Sequence, residues 1–371
     1  MELLDKLNLK HVINASGKMT AIGVSTASPT VAEAVKDGTQ NFVEIEQMIN
    51  AVSRVIAEET GAEDGCPTCS ASAGIAIAVA AIITEGKLPL IERIPNTEGL
   101  KNEIIIQKGH VINYGGSEVQ MIRLGGGKVI EVGASNVVAY EHIEEAINER
   151  TAALMFVKSH HVLQEQGQSL ETMVALAHKH CLPLIMDAAA EEDLRKYIAL
   201  GVDIVLYSGG KAIEGPTSGF MAGKSQYMIA AREQYKGIGR AMKIGKENLA
   251  GLAIALREYR NKNHHVKEQI ASMTYLCNVL DRIDGLSCTV TKDDAGREIY
   301  RAQIKVHSKV TKITAKQINK RLIEHNPAIY VRHHFIDQGI LSIDPRTLKN
   351  GQEETIMSTI KSIIQGASKH D

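Results

Sequence analysis

Six short apolar runs separated by amphipathic stretches occupy the chain as far as Lys224, and this alternation constrains the fold more than any other feature. The runs are Glu103–Ile106, Lys128–Val132, Ala153–Val157, Leu182–Met186, Asp203–Tyr207 and Gly219–Ala222, each read as a strand. Helical stretches are expected between them at Tyr140–Asn148, Leu170–His180 and Glu191–Leu200. Upstream, Ile45, Met48, Ile49, Val52, Val55 and Ile56 recur at three- and four-residue spacing, which predicts a half-buried helix over Glu44–Thr60. Ser70–Thr84 is rich in Ala and Ile on every face and reads as a buried helix. Strands that are apolar along their whole length need cover on both faces, so a parallel sheet is expected. Right-handed crossovers then make the fold class α/β, with a doubly wound, mostly parallel sheet.

Beyond Lys224 the pattern changes. Glu247–Ile283 reads as largely helical, followed by strands at Ser287–Thr291, Tyr300–Val306, Ile329–Val331 and Ile340–Ile343 and helices at Lys316–His325 and Glu353–Ala367. That mixture predicts a smaller C-terminal α+β domain. The expected division is an N-terminal segment, 1–40, packing on the small domain, a large domain, 41–250, and the small domain, 251–371.

Composition narrows the function classes. Lys+Arg 42 against Asp+Glu 43 leaves a net charge of -1, which gives no electrostatic footing for nucleic acid or an anionic membrane. The longest apolar run, Ile75 to Ile83, is too short to cross a bilayer. The start, Met1-Glu2-Leu3-Leu4-Asp5, lacks the basic and apolar regions of a signal peptide. Five cysteines, an odd number, argue for a reducing compartment and against a disulfide framework. A cytoplasmic globular protein is expected.

Several local signals have bland readings that outweigh the chemical ones. Cys66-Pro-Thr-Cys69 lacks the second pair that a zinc ribbon needs, and two small cysteines before a buried helix explain it. Three Gly-Lys dipeptides, at Lys128, Lys211 and Lys224, fail the phosphate-loop pattern at Ile122 and Val129, at Val205 and Ala212, and at Ser218. His160-His161 and His333-His334 point to opposite faces of an extended chain, so neither pair chelates by itself, and no metal site is expected. One histidine of each pair is left as a candidate to face a pocket.

The stronger signal is distributed. Ile185-Met186-Asp187 ends one apolar run with an acid, and Ser208-Gly209-Gly210-Lys211 ends the next with a hydroxyl, two glycines and a lysine. Carboxyl ends of parallel strands are where α/β proteins bind ligands. An acid and a lysine there, with the Ser/Gly-rich helix start Ser70-Ala71-Ser72-Ala73-Gly74, suit pyridoxal 5'-phosphate. The lysine would form the Schiff base, the acid would hold the ring nitrogen protonated, and the helix start would take the phosphate. The same residues also fit a lysine in a surface turn and an acid capping the next helix.

With these residues in place, the chain resembles the selenocysteine synthase (seryl-tRNA selenium transferase) branch of the fold type I pyridoxal phosphate enzymes. The resemblance runs from Val12-Ile13-Asn14-Ala15-Ser16-Gly17 to Asp344-Pro345-Arg346-Thr347-Leu348. Between them it is carried by Thr60-Gly61-Ala62-Glu63, Gly115-Gly116-Ser117, Val132-Gly133-Ala134-Ser135-Asn136, Ser208 to Gly219, and Arg240-Ala241-Met242-Lys243. It implies that Lys211 is the Schiff-base lysine and Asp187 the ring-nitrogen partner. It places Ser70, Ala71, Ser72 and Ser208 at the cofactor phosphate and His110 against the ring. The chain departs from the branch at Gly210, where an Asp is usual, and in a phosphate helix with small hydroxyls in place of Asn. Asn14-Ala15-Ser16-Gly17 also comes almost at once, without the tRNA-binding domain of the transferases.

The shorter D-glucosaminate-6-phosphate ammonia-lyases of the same branch are similar in length, early start and the Ser208–Pro216 segment. That similarity implies loss of water and ammonia from a phosphorylated 2-amino sugar acid. The alternatives are a selenium transferase acting on seryl-tRNA and a lyase acting on serine or cysteine. A small substrate with a carboxylate and a phosphate needs cationic anchors, for which Arg332, Arg346 and Arg240 are the candidates. The branch also implies a homodimer or larger homo-oligomer.

Overall fold

The computed structural model describes residues 2–159, 161–162, 166–262, 265–293 and 296–367. Its strands in chain order are β1 (Val12–Ala15), β2 (Asp64–Thr68), β3 (Glu103–Gln107), β4 (Lys128–Val132), β5 (Thr151–Val157) and β6 (Leu184–Asp187). They continue with β7 (Ile204–Ser208), β8 (Gly219–Gly223), β9 (Leu286–Lys292), β10 (Tyr300–Val306), β11 (Ala328–Val331) and β12 (Ile340–Ile343). The chain divides into two units, Ala27–Lys262 and Met1–Thr26 with Asn263–Asp371.

The large unit is built on a seven-stranded sheet of order β2-β8-β7-β6-β5-β3-β4. Strands β3 to β7 are parallel, the arrangement that their unbroken apolar runs demand. The next strand, β8, is antiparallel to both β7 and β2. Only residues 209–218 join β7 to β8, fewer than the dozen or so that a parallel crossover needs, so the chain turns straight back. Alternate residues feed two cores, one on each face. Met186, Val205, Tyr207 and Phe220 face one way, with Ile56 and Leu252, while Ile185, Leu206 and Met221 face the other, with Ile75 and Val79.

The edge strand β2 and the helix Pro29–Gln40 are two elements that the apolar pattern did not reveal. Gly65 and Pro67 are poor strand formers, tolerated at an edge. A Cβ on Gly65 would lie 2.5 Å from the Ile56 side chain, so glycine lets the helix Ile45–Thr60 lie flat on β2. The helix Pro29–Gln40 starts on a cap: the Ser28 hydroxyl accepts from the Val31 amide at 3.1 Å, with Pro29 in the first position. The stretch expected as a helix over Glu191–Leu200 shrinks to Lys196–Ala199. There the Asp193 carboxylate accepts from the Arg195 and Lys196 amides at 3.0 Å, a turn that competes with the helix before it can start. Tyr140–Asn148 likewise shortens to Tyr140–Glu144.

The long helix expected over Glu247–Ile283 is two helices, Lys246–Tyr259 and Val266–Leu280. The division between units falls in the break between them, after Lys262, and not near residue 250; Ala27–Gln40 goes with the large unit. The small unit holds the antiparallel sheet β12-β10-β9 and the parallel pair β1–β11, with Val12 opposite Ala328. Ile13 and Ala15 of β1 join its core beside Leu276, Ile304, Ile329 and Ile343. The N-terminal segment through Thr26 is therefore part of the small unit's core. Among the described residues no helix is long and apolar enough to cross a membrane.

Candidate active site

In the large unit, β5 and β6 end level with one another, Val157 opposite Asp187, and β7 lies on the other side of β6. The end of β6 is tied on both sides: the Lys158 amide donates to the Asp187 carbonyl at 2.8 Å, and Ala188 N donates to Leu206 O at 2.9 Å. The Asp187 side chain is buried, and its Oδ1 accepts from the Ala189 amide at 2.9 Å. Burial pushes this carboxyl above the usual carboxylate range, against the opposing pull of the Lys211 ammonium. An acid held this way at a strand end is ready to take a cationic partner.

Lys211 sits in the turn that follows β7. Gly209 N donates to Ser218 O and Gly215 N to Gly209 O, both at 2.8 Å, closing a tight loop around the lysine. A Cβ on Gly209 would lie 2.1 Å from the Ser218 hydroxyl, so glycine lets the loop close without turning that hydroxyl away. Lys211 itself is half-buried.

Ser70 caps the helix Ala71–Thr84, its hydroxyl accepting from the Ala73 amide at 3.0 Å. The first amides of that helix, including those of Ala71 and Ser72, have no acceptor within the helix and carry the positive end of its dipole. Strand β8 runs against this helix start: a Cβ on Gly219 would lie 2.3 Å from the Ser70 carbonyl carbon and 2.5 Å from the Ala71 nitrogen. Ser208, opposite Gly219 in the sheet, is half-buried at the end of β7. A phosphate monoester fits this cradle of amides and small hydroxyls.

His110 follows β3 in a short turn and is buried. Its Nδ1 accepts from the Val157 amide at 3.1 Å, so the ring proton lies on Nε2. Its ring meets Phe156 edge to face at 4.5 Å. Burial, reinforced by the Lys158 charge, lowers its pKa to about 4, so the ring is neutral at neutral pH. A flat, uncharged imidazole can lie against an aromatic cofactor without competing for its proton.

Sequence reasoning passed over Glu118. This residue begins the helix Glu118–Leu124, where an acid is ordinarily a solvated partner of the helix dipole. Here it is 0% exposed, and neither carboxylate oxygen has a hydrogen-bond partner. The buried Tyr114 hydroxyl lies beside Ser72. No spacing rule distinguishes such an acid from an exposed one.

The three arginines have different surroundings. Arg240 is exposed in a short turn of the large unit. Arg346 lies in the small unit with its Nε and a terminal nitrogen on the two Asp344 oxygens, at 3.0 and 2.9 Å. Asp344 also takes Arg301 at 2.8 Å, and these two guanidinium groups hold its carboxyl well below the usual range. Arg332 is mostly buried with Ser16 O at 3.5 Å, and among the described residues no carboxylate lies within ion-pairing distance. Burial and the like charges of Arg301 and Arg346 bring its pKa down to about 10.

The remaining candidates carry less. His160 lies outside the described residues, and His161, His333 and His334 are exposed. No cluster that could hold a metal occurs among the described residues. Cys66 is buried in β2, where burial pushes its thiol up to about 12 and leaves it unreactive.

The model of the SelA family, L-seryl-tRNA selenium transferase, matches residues 12–350. The chain is 42% identical over 366 residues to the D-glucosaminate-6-phosphate ammonia lyase of Salmonella typhimurium, covering 99% of each. It is 40% identical over 362 residues to the 5'-C-glycyluridine monooxygenase-decarboxylase of a Streptomyces species, covering 96% of this chain and 91% of that one. A solved structure of D-glucosaminate-6-phosphate ammonia-lyase superposes with a TM-score of 0.93, at 42% identity and with 99% of each chain covered. The architecture is that of the fold type I pyridoxal phosphate enzymes.

Proposed function

The chain belongs to the SelA family of L-seryl-tRNA selenium transferases, and we propose that its own reaction is that of a pyridoxal phosphate-dependent ammonia-lyase. In this reading it converts D-glucosaminate 6-phosphate to 2-keto-3-deoxygluconate 6-phosphate, releasing ammonia. The observation that carries the reading is the likeness, 42% identical along 99% of both chains, to an enzyme of that name.

When bound, the cofactor supplies an electron sink for the pair left behind by the α-proton. The residues of the site supply the rest. Ser70, Ala71, Ser72 and Ser208 hold the phosphate. Asp187 as carboxylate would keep the ring nitrogen protonated, and the neutral His110 would lie against the ring. Lys211 would hold the cofactor, and its Nζ, when not engaged in doing so, would take the α-proton of the substrate. The same proton, given by Lys211 Nζ to the β-hydroxyl, would let that group leave as water; one water would then be taken up as the carbon–nitrogen bond is hydrolysed, giving ammonia and the keto acid. Arg332, with no carboxylate within ion-pairing distance among the described residues, is the candidate for an anionic group of the substrate. Arg346 is committed to Asp344 and supports the small unit instead, and the exposed Arg240 has a lesser claim. The reading extends to a cytoplasmic homo-oligomer, a property to be weighed by sedimentation.

The test is turnover of D-glucosaminate 6-phosphate with pyridoxal phosphate, following keto acid and ammonia together. Equal yields of both, absent in Lys211→Ala, are expected. Preference for serine, cysteine or the unphosphorylated sugar acid would sink the substrate assignment. Oxygen uptake with carbon dioxide release from 5'-C-glycyluridine would replace it.

A further inference from the structure

Glu118 lies in the same wall of the large unit as the proposed cofactor site. The segment carrying it leaves the carboxyl end of β3, while Asp187 ends β6, and β5 is the only strand between them. Glu118 N donates to Ile112 O at 3.1 Å, which fixes the helix start against the turn that holds His110. The helix Glu118–Leu124 packs on Ala71–Thr84, whose sequence carries no titratable side chain. The groups whose charge bears on the carboxyl are thus few: Asp187 raises its pKa further, and the Tyr114 phenol in turn feels both Glu118 and Asp187. Around Asp187 stand Lys211 and Glu191. A fully buried carboxyl with both oxygens unpartnered cannot hold a charge beside a second carboxylate without a large solvation cost.

Resting on the cofactor reading above, we infer that Glu118 is a positioning residue: it carries the proton of a two-carboxyl pair, so that Asp187 is the charged member facing the cofactor. Burial, with the Asp187 charge as the second cause, raises the Glu118 pKa to about 9, in keeping with this role. Two interacting carboxyls share their protons according to environment, and here the environments differ. Asp187 has an amide donor and a facing ammonium; Glu118 has neither. Of the two carboxyls, Asp187 therefore carries the negative charge and Glu118 the proton.

The experiment combines carbon-13 NMR of glutamate-labelled protein with cofactor titrations. Wild type should show one glutamate carboxyl titrating near pH 9, absent in Glu118→Gln. Because Gln mimics the protonated acid, E118Q should bind pyridoxal phosphate within about threefold of wild type at pH 7. Any change in the wild-type affinity between pH 8 and pH 10 that follows this titration should be absent from the variant. Glu118→Lys, which places a cation behind Asp187, should bind the cofactor at least about tenfold more weakly. If wild type binds the cofactor and every glutamate titrates in the ordinary range, this inference falls alone. A loss of about tenfold or more in E118Q at pH 7 would also overturn it, since the charged form would then be the one in use. If wild type binds no pyridoxal phosphate, the cofactor reading falls and takes this inference with it.

Discussion

Asp187 closes β6 with its carboxyl buried, so ionisation there is favoured only when a cation faces it. Asp187→Asn preserves the shape and the contact with the Ala189 amide but removes the charge. Cofactor should still bind to the variant while turnover falls by about 10²-fold or more, at roughly 1.4 kcal/mol for each tenfold. Near wild-type turnover would show that Asp187 is only a turn-forming acid. The arginines make a second comparison at this scale. Arg332→Ala should raise KM about 10²-fold for the phosphorylated sugar acid with a smaller change in kcat, because it removes a cation that no carboxylate among the described residues pairs directly. Arg346→Ala should lower Tm instead, because Asp344 would lose one of its two guanidinium partners while buried. Measuring KM and Tm for both variants separates the roles, and the reverse pattern would exchange them. Sequence could place both arginines near chemistry-bearing motifs, but not say which already had a carboxylate. That depends on Arg346 folding back onto Asp344, two residues before it, a contact that periodicity does not encode.

Among the elements, the ones that stood out in the sequence are those with a strong period or an unbroken apolar run. Strands β3 to β8 and the helices Ile45–Thr60 and Ala71–Thr84 are of this kind. The edge strand β2 was hidden because Gly65 and Pro67 break its pattern, and the reversal at β8 because direction follows loop length rather than side chains. The site shows the same contrast. Lys211, Asp187 and Ser70 were legible as residues at element ends, whereas Glu118 looked like any acid at a helix start until burial distinguished it. The contact between β8 and the phosphate helix can be tested directly. Gly219→Ala would drive a Cβ to 2.3 Å from Ser70 backbone, which no rotamer change can relieve. Its cofactor dissociation constant should rise well beyond that of Ser70→Ala, which removes one cap worth about 1 kcal/mol. Circular dichroism would verify that both remain folded. Equal affinities would mean that the close approach of β8 does not shape the phosphate cradle.

At the scale of the whole molecule, the two units differ in what alkali should do to their buried carboxyls. In the small unit, Arg297 and Arg301 hold Asp293, and Arg301 and Arg346 hold Asp344, keeping both carboxyls well below their ordinary range. A depressed folded pKa gives stability that is present above the unfolded value and lost as pH falls through the folded one. Acid should therefore weaken the small unit. In the large unit, Glu118 is raised from 4.5 to about 9, so the folded state holds a proton that the unfolded chain releases. That contribution is complete below the ordinary carboxylate range and is lost as pH climbs toward 9, at up to about 1.4 kcal/mol per pH unit for one proton. Raising the pH from 7 to 9 should then lower the stability of the large unit, and E118Q should abolish most of that slope. Differential scanning calorimetry of the cofactor-free protein reads both effects: the transition of the small unit should shift down in acid, and that of the large unit, whose His110 and Glu103 also favour neutral pH over acid, should in addition shift down in alkali. Hydrogen exchange would assign each transition, with β10 reporting the small sheet and β6 the large one. A single transition with the same alkaline slope in wild type and E118Q would show that Glu118 is not the group that holds the proton.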